Sequence, residues 1–222
     1  VSVEAAANVY LAGDFVGALH LGGGPLSADY QDVYVAKFDA NGDHVWSKAF
    51  GGPGQDLMGD MTVDANGFVF VTGLVEDSMS FGRTALATAG APGLFVAKLT
   101  PSGEEVWAGR FGDEGWPFAT SISVNSQGSV LVGGTFRGRL DFGFGQHASP
   151  SDDDVFVVRF DAGGAPLYSR SYGVLNTYEQ LSDVVLDETG AAYVAGSLES
   201  EFDLDGTLLR AADGRDGYVF KL

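Results

Sequence analysis

Apolar and polar residues alternate along this chain in short runs that are typical of β-strands separated by tight turns. Residues 32–52 show the pattern most clearly. The run at 33–38 is apolar at both alternating positions apart from Lys37, and a turn-like segment at 39–42 separates it from a mixed run at 44–50. The first run predicts a strand covered on both faces, and the second predicts an outer strand with one wet face.

The stretch recurs at a fixed interval. Matching residues lie 61, 61 and 62 positions apart in one series and 61 apart in two others: Lys37, Lys98, Arg159 and Lys221; Trp46, Trp107 and Tyr168; Phe50, Phe111 and Tyr172. A period of this length is the signature of a repeat architecture. The sequence therefore predicts four units of about 61 residues each.

Each unit opens with two further short strands joined by a turn. The turns at 64–67, 125–128 and 187–190 place Asp or Asn first and Gly last. An Asx side chain caps such a turn, and Gly accepts its positive φ angle. The first unit reads Glu4-Ala-Ala-Ala7 and lacks the Gly, so we expect a looser turn there.

A variable excursion of about 18 residues separates the second and third strands of each unit. Every excursion contains an apolar-x-apolar element, namely Leu19/Leu21, Met79/Phe81, Leu140/Phe142 and Phe202/Leu204. We expect these apolar residues to pack against the edge of their own sheet, because an excursion longer than a usual hairpin loop needs anchoring.

Four short antiparallel strands per unit, stacked by rotation, predict an all-β chain folded as a β-propeller. The predicted blades are residues 1–52, 53–113, 114–174 and 175–222, which form a single domain or part of a larger propeller. The fourth copy stops at its third strand, so its blade is expected to lack the outer strand. Such an edge can pair with a strand of another chain.

The repeats resemble the SBBP-type bacterial β-propeller repeat family, through GFVFVTG, DVYVAKFDANGDHVWSKAFGG and LDFGFG. The resemblance covers almost the whole chain in four copies, and the third copy departs from it with Tyr168 where Trp is usual. It implies one blade per repeat and export from the cell, to the surface or periplasm. It carries no catalytic residues over to this chain.

Composition narrows the expected partners. The net charge of −18 repels nucleic-acid phosphates and anionic membranes, so neither is an expected partner. The chain has no Cys, which excludes disulfides and thiolate chemistry. No apolar run is long enough for a membrane span. A first residue Val1 inside a repeat suggests a processed or excised piece, so a missing leader says nothing about export.

The sequence contains only weak indications of a metal site or of catalytic residues. The three histidines, His20, His44 and His147, occupy different places in their repeats. Nothing in the sequence indicates that they lie close together in the fold. The segment 39–43 shares acids with a calcium loop, but its repeat partners keep the turn and lose the acids, which favours a turn. The acidic run 151–154 is expected to be a solvated loop. We expect no cofactor and leave calcium open.

Positions that differ between copies are the candidates for a binding site, because a site grafted on a repeated scaffold need not repeat. The connections between units supply six candidate residues: Trp116, Tyr178, Asp56, Asp113, Glu114 and Glu179. They are expected to share a rim at one end of the strands. The alternative is that the two aromatic residues fill gaps between blades.

The function expected from these features is that of a non-catalytic extracytoplasmic scaffold that binds a protein or a glycan. Two alternatives stay open. One is a polysaccharide hydrolase or lyase, which requires a pair of accessible carboxylates. The other is a structural subunit completed by a strand from another chain.

Overall fold

The computed structural model describes residues 1–88, 90–112, 114–174, 178–199, 201–204 and 206–222, and it leaves the side chains of 150–152 undescribed. All regular structure in these residues is β, arranged as several antiparallel sheets. The chain divides into two compact units, Val1–Arg110 and Phe111–Leu222.

The first unit contains two four-stranded sheets and a short ribbon. Its first sheet has the order β1-β2-β3-β4, with strands Ser2–Val3, Val9–Leu19, Leu26–Phe38 and His44–Phe50. Its second sheet has the order β10-β9-β6-β5, with β5 Asp56–Val63, β6 Val69–Val75, β9 Gly93–Leu99 and β10 Glu105–Phe111. The ribbon pairs β7 Ser78–Ser80 with β8 Ala85–Ala87.

The second unit repeats this plan. Its four-stranded sheet has the order β11-β12-β13-β14, with strands Glu114–Val124, Val130–Asp141, Gln146–Phe160 and Pro166–Tyr172. A three-stranded sheet follows in the order β15-β16-β19, with strands Glu179–Leu186, Ala192–Leu198 and Asp216–Lys221. A ribbon pairs β17 Glu201–Leu204 with β18 Thr207–Arg210.

The burial of the strands follows the sequence pattern. The third strand of the second sheet, β9, is buried at six of its seven residues, whereas the outer strand β10 is mostly half-buried. The Lys within the buried run is accommodated by an aromatic partner. Lys37 lies 4.9 Å from the ring centre of Tyr10, its cross-strand neighbour, and forms a 3.2 Å ion pair with Glu4. Its repeat equivalent Lys98 lies over Phe70 at 5.0 Å.

The predicted Asx turns form as expected. Gly67 N donates to the carbonyl of Asp64 at 3.0 Å, and Asp64 Oδ1 accepts backbone N–H groups of Asn66 and Phe68, both at 2.9 Å. The equivalent glycines all take positive φ angles, namely 79° at Gly67, 77° at Gly128 and 87° at Gly190. The side-chain acceptor and the left-handed Gly together close each hairpin.

The expectation of a looser first turn is wrong. Ala7 N donates to the carbonyl of Glu4 at 2.9 Å, and Glu4 N donates to the carbonyl of Asn8 at 3.1 Å. Ala7 takes a φ angle of 60° and so adopts the left-handed conformation that Gly takes in the other copies. Pairing of Val3 with Val9 on either side of the turn holds the same geometry in place.

Three of the four excursions are anchored by buried apolar residues as predicted, whereas Leu19 and Leu21 of the first are only half-buried. The excursions are hairpins rather than loops. Phe81, Phe142 and Phe202 are buried in the three copies that carry an aromatic residue at this position. Phe81 and Phe202 each pack between the outer strand of the preceding sheet and the third strand of the sheet to which they belong. The ring-centre distances are 4.9 Å for Phe50–Phe81 and 5.5 Å for Phe81–Phe95. In the second unit they are 5.4 Å for Phe111–Phe142 and 5.5 Å for Tyr172–Phe202.

Candidate functional site

Two strands of the second unit, β11 and β15, lie side by side and run in the same direction. Thr120 Oγ1 donates to the carbonyl of Leu181 at 3.1 Å, and Ser121 Oγ donates to Asp183 Oδ1 at 2.8 Å. Further hydrogen bonds join the strands at the same offset as far as Ser126. The partners are 61 to 63 residues apart, so equivalent residues of successive repeats are neighbours.

This register places Trp116 and Tyr178, which are 62 residues apart, at matching positions at the start of the two strands. Both side chains lie on the surface, with 59% of Trp116 and 47% of Tyr178 exposed. The interpretation in which they fill gaps between blades therefore does not describe them, because a buried plug would be largely covered. Each side chain presents an exposed aromatic group at the same place in its repeat.

Charged side chains flank Trp116. Arg137 is the cross-strand partner of Trp116, so the two side chains project from the same face of the sheet. Arg137 Nη2 lies 3.3 Å from Asp153 Oδ1, and Arg139 Nη1 donates to Glu114 Oε2 at 3.1 Å. These ion pairs are partly or largely exposed and hold hydrogen-bond donors and acceptors beside Trp116.

Two of the six candidate residues are buried and therefore cannot line an exposed rim. Asp56 in the first unit and Glu179 in the second are both 0% exposed. They begin strands β5 and β15 at equivalent positions, paired with Val75 and Leu198. Sequence reasoning placed them on a rim because the connections between units differ from copy to copy. Asp113 lies outside the described residues.

A buried carboxylate pair in the first unit, Asp32 and Asp56, was not predicted as a pair. Asp32 is 6% exposed, and an atom added as a Cβ at Gly51 would lie 2.4 Å from its carboxyl carbon. Asp56 Oδ2 accepts the backbone N–H of Gly52 at 3.0 Å. The two carboxyl groups therefore meet at the Gly51–Gly52 peptide. The sequence gives one indication that Asp32 has a structural role, because Asp154 lies two periods further on and occupies the same place in the third repeat.

Both carboxyl groups are harder to ionise than ordinary ones. Burial raises the pKa of Asp56 to about 7; the N–H of Gly52 opposes this, and the negative charges of Asp32 and Glu76 add to it. Burial also raises the pKa of Asp32, and the charge of Asp29 adds to the effect. Among the described residues no ion pair reaches either carboxyl group. Desolvation and like charge therefore both raise the two pKa values.

Two other residues considered from sequence, His147 and Asp39, have structural partners. His147 Nδ1 and Nε2 lie 3.0 and 2.8 Å from the hydroxyls of Ser171 and Ser169, and burial lowers the pKa of His147. Asp39 Oδ1 accepts the backbone N–H groups of Asn41 and Asp43 at 2.8 and 2.9 Å, as the turn interpretation requires.

Within the described part of the chain, no three or more His, Cys, Asp or Glu side chains converge as a metal-binding group. None of the described residues forms a helix of the length and apolar character needed to cross a membrane.

No family model matches this chain, and a search among curated proteins finds no significant match. The resemblance to SBBP-type repeats therefore stays a prediction from the motifs themselves.

Proposed function

We propose that this chain is a non-catalytic, extracytoplasmic binding module, that its four sheets are the blades of a β-propeller, and that it binds glycan chains through Trp116 and Tyr178. The observation that carries the proposal is the exposure of two aromatic side chains at matching positions of neighbouring strands. Aromatic side chains left largely exposed are more typical of a contact surface than of a core.

The surroundings of the pair favour a sugar over an apolar ligand. A sugar ring presents C–H groups that pack on an aromatic face, and its hydroxyl groups need donors and acceptors around that face. Arg137 with Asp153 and Arg139 with Glu114 supply both kinds of group beside Trp116. Binding sites of this type combine aromatic surface with a few polar groups that fix orientation.

The burial of the carboxylate pair supports binding rather than hydrolysis. A glycosidase needs two carboxyl groups that touch the substrate. Asp32 and Asp56 are 6% and 0% exposed, so a polysaccharide cannot reach them without opening the first unit. The extracytoplasmic location is inferred from the resemblance of the repeats.

Titration calorimetry with soluble cello-, xylo- and chito-hexasaccharides tests the proposal. At least one should bind the full chain, and Trp116→Ala and Tyr178→Ala should each weaken binding about tenfold, which corresponds to a contact of about 1.4 kcal/mol. Tyr30→Ala is the matched control, since Tyr30 is 59% exposed in the first unit. It should leave the affinity unchanged.

Two results would contradict the proposal. One is that none of the oligosaccharides binds, which leaves protein contact as the function to test next. The other is that the double variant Trp116→Ala/Tyr178→Ala unfolds at a lower temperature but binds like the unmodified chain.

A further inference from the structure

One end of the first unit gathers acidic side chains without an opposing cation. Asp14, Asp29, Asp32, Asp56 and Glu76 lie at this end, linked by the contacts that position the buried pair. No ion pair reaches any of the five within the residues that the structure describes. The local field is therefore strongly negative and attracts cations.

The backbone brings the two buried carboxylates together. Gln31 and Gln55 form an isolated parallel bridge, and Gln55 Nε2 donates to Gln31 Oε1 at 2.8 Å. The next residue on each segment is Asp32 and Asp56. Because successive side chains alternate between faces, both point to the face opposite the two Gln side chains. Paired segments lie about 4.8 Å apart, which places two carboxyl groups within reach of one ion.

Each carboxyl group has an oxygen with no partner. Asp32 Oδ1 and Asp56 Oδ1 are buried and accept no hydrogen bond from any described residue. A buried carboxylate oxygen without a partner destabilises the fold unless a cation or a proton compensates it. Gly51 leaves room for Asp32, because any side chain there would collide with the carboxyl group.

We propose that Asp32 and Asp56 form a divalent-cation site in the first unit, with Ca²⁺ as the ion of matching chemistry. Two carboxylates neutralise one divalent ion, and hard cations prefer oxygen ligands. Ca²⁺ suits the site better than Mg²⁺ because it accepts irregular coordination by carboxylate, peptide and water oxygens, whereas Mg²⁺ demands near-octahedral geometry. With two carboxylates as the side-chain ligands, peptide oxygens and water complete the shell.

Thermal unfolding of the full chain, stripped of metal with EDTA and desalted, tests the site at pH above neutrality. CaCl₂ should raise the melting temperature saturably, MgCl₂ should do so less, and NaCl at matched ionic strength should not reproduce the effect. Calorimetric titration with Ca²⁺ should show at least tenfold weaker binding for Asp32→Asn and Asp56→Asn. Asp77→Asn removes a charge beside Glu76 and leaves the pair intact, so it should bind like the unmodified chain.

Three outcomes overturn the site. The first is a melting temperature that responds equally to CaCl₂ and to NaCl at matched ionic strength. The second is Ca²⁺ binding that survives both Asn substitutions. The third is a stability that changes with the protonation of Asp56 but does not respond to Ca²⁺. A proton retained on Asp56, rather than a cation, would then offset the repulsion between the two carboxyl groups. If the variants do not fold, equilibrium dialysis of the unmodified chain against Ca²⁺ still decides, since the absence of binding contradicts the proposal.

Discussion

Ala7 carries a backbone strain that three other turns avoid by using glycine. Its φ angle of 60° lies in the left-handed region, which costs an L-residue about 1–2 kcal/mol. Ala7→Gly should remove that strain, partly offset by the greater freedom of Gly in the unfolded chain. We expect a gain of about 0.5–1 kcal/mol, measured as a higher midpoint of thermal unfolding by circular dichroism.

Gly42→Ala is the reverse control for this substitution. Gly42 has a φ angle of 86° and open space where a Cβ would lie, so only backbone strain is introduced. It should destabilise the chain by about 1 kcal/mol. An Ala7→Gly variant that is less stable than the unmodified chain would show that the left-handed turn is not strained.

Glu105 is a buried carboxylate that closes the second excursion. It is 4% exposed, and its Oε2 accepts the N–H groups of Arg83 and Thr84 at 2.7 and 2.8 Å. Burial alone raises its pKa, but the hydrogen bonds from Thr84 and Arg83 outweigh it and lower the pKa below 4.5. A group with a lowered folded pKa stabilises the fold above its unfolded pKa and loses that effect as pH falls through the folded value.

Glu105→Gln should therefore destabilise the chain by about 1–3 kcal/mol at neutral pH, because charge-assisted hydrogen bonds to a buried group are lost. The difference from the unmodified chain should shrink as pH falls below 4.5. Urea unfolding at a series of pH values measures it. Glu104→Gln, at an exposed neighbour paired with Lys48, should change stability by less than about 1 kcal/mol. A difference that is independent of pH would contradict the assignment.

At the scale of elements, three of the four excursions are held by one aromatic anchor each. Phe142 and Phe144 are two residues apart in one excursion, but Phe142 is 2% exposed and Phe144 is 53% exposed. Phe142→Ala should cost about 3–5 kcal/mol, because it empties a packed site against Phe111 and Phe156. Phe144→Ala should cost less than about 0.5 kcal/mol. Equal losses in urea unfolding would refute the anchor.

Most elements were predictable because their signals are local. The Asx–Gly turns and the strand covered on both faces, 33–38, follow from residue types a few positions apart. The burial of Asp56 and Glu179 was not predictable, since it depends on the packing of strands from different repeats. Glu105 was missed for the same reason, because its partners lie 21 and 22 residues away in sequence. The hairpin form of the excursions likewise depends on pairing across variable sequence.

The candidate binding residues fall into an exposed group and a buried group, and the same dependence on packing explains the difference. Trp116 and Tyr178 were proposed because they lie in the variable connections between repeats, and both are exposed. Asp56 and Glu179 begin β5 and β15 at equivalent positions, but Pro117 occupies that position in the third copy, so alignment of the copies does not mark it as scaffold. Burial thus depends on packing between strands that the local sequence does not show, whereas exposed aromatic residues in the connections indicate a surface for contact.

For the molecule as a whole, the charge of −18 is the dominant electrostatic feature. Self-repulsion of like charges opposes the compact state, while exposed ion pairs such as Arg139–Glu114 contribute only about 0–1 kcal/mol each. Salt screens both the repulsion and the ion pairs. Because the chain has 30 acidic residues and only 12 basic ones, the repulsion is the larger of the two, and screening should stabilise the chain on balance. Raising NaCl from low to physiological ionic strength should increase the melting temperature by a few degrees at neutral pH. The increase should shrink near pH 4.2, where the net charge vanishes, and a melting temperature that falls with NaCl at neutral pH would mean that ion pairs outweigh repulsion.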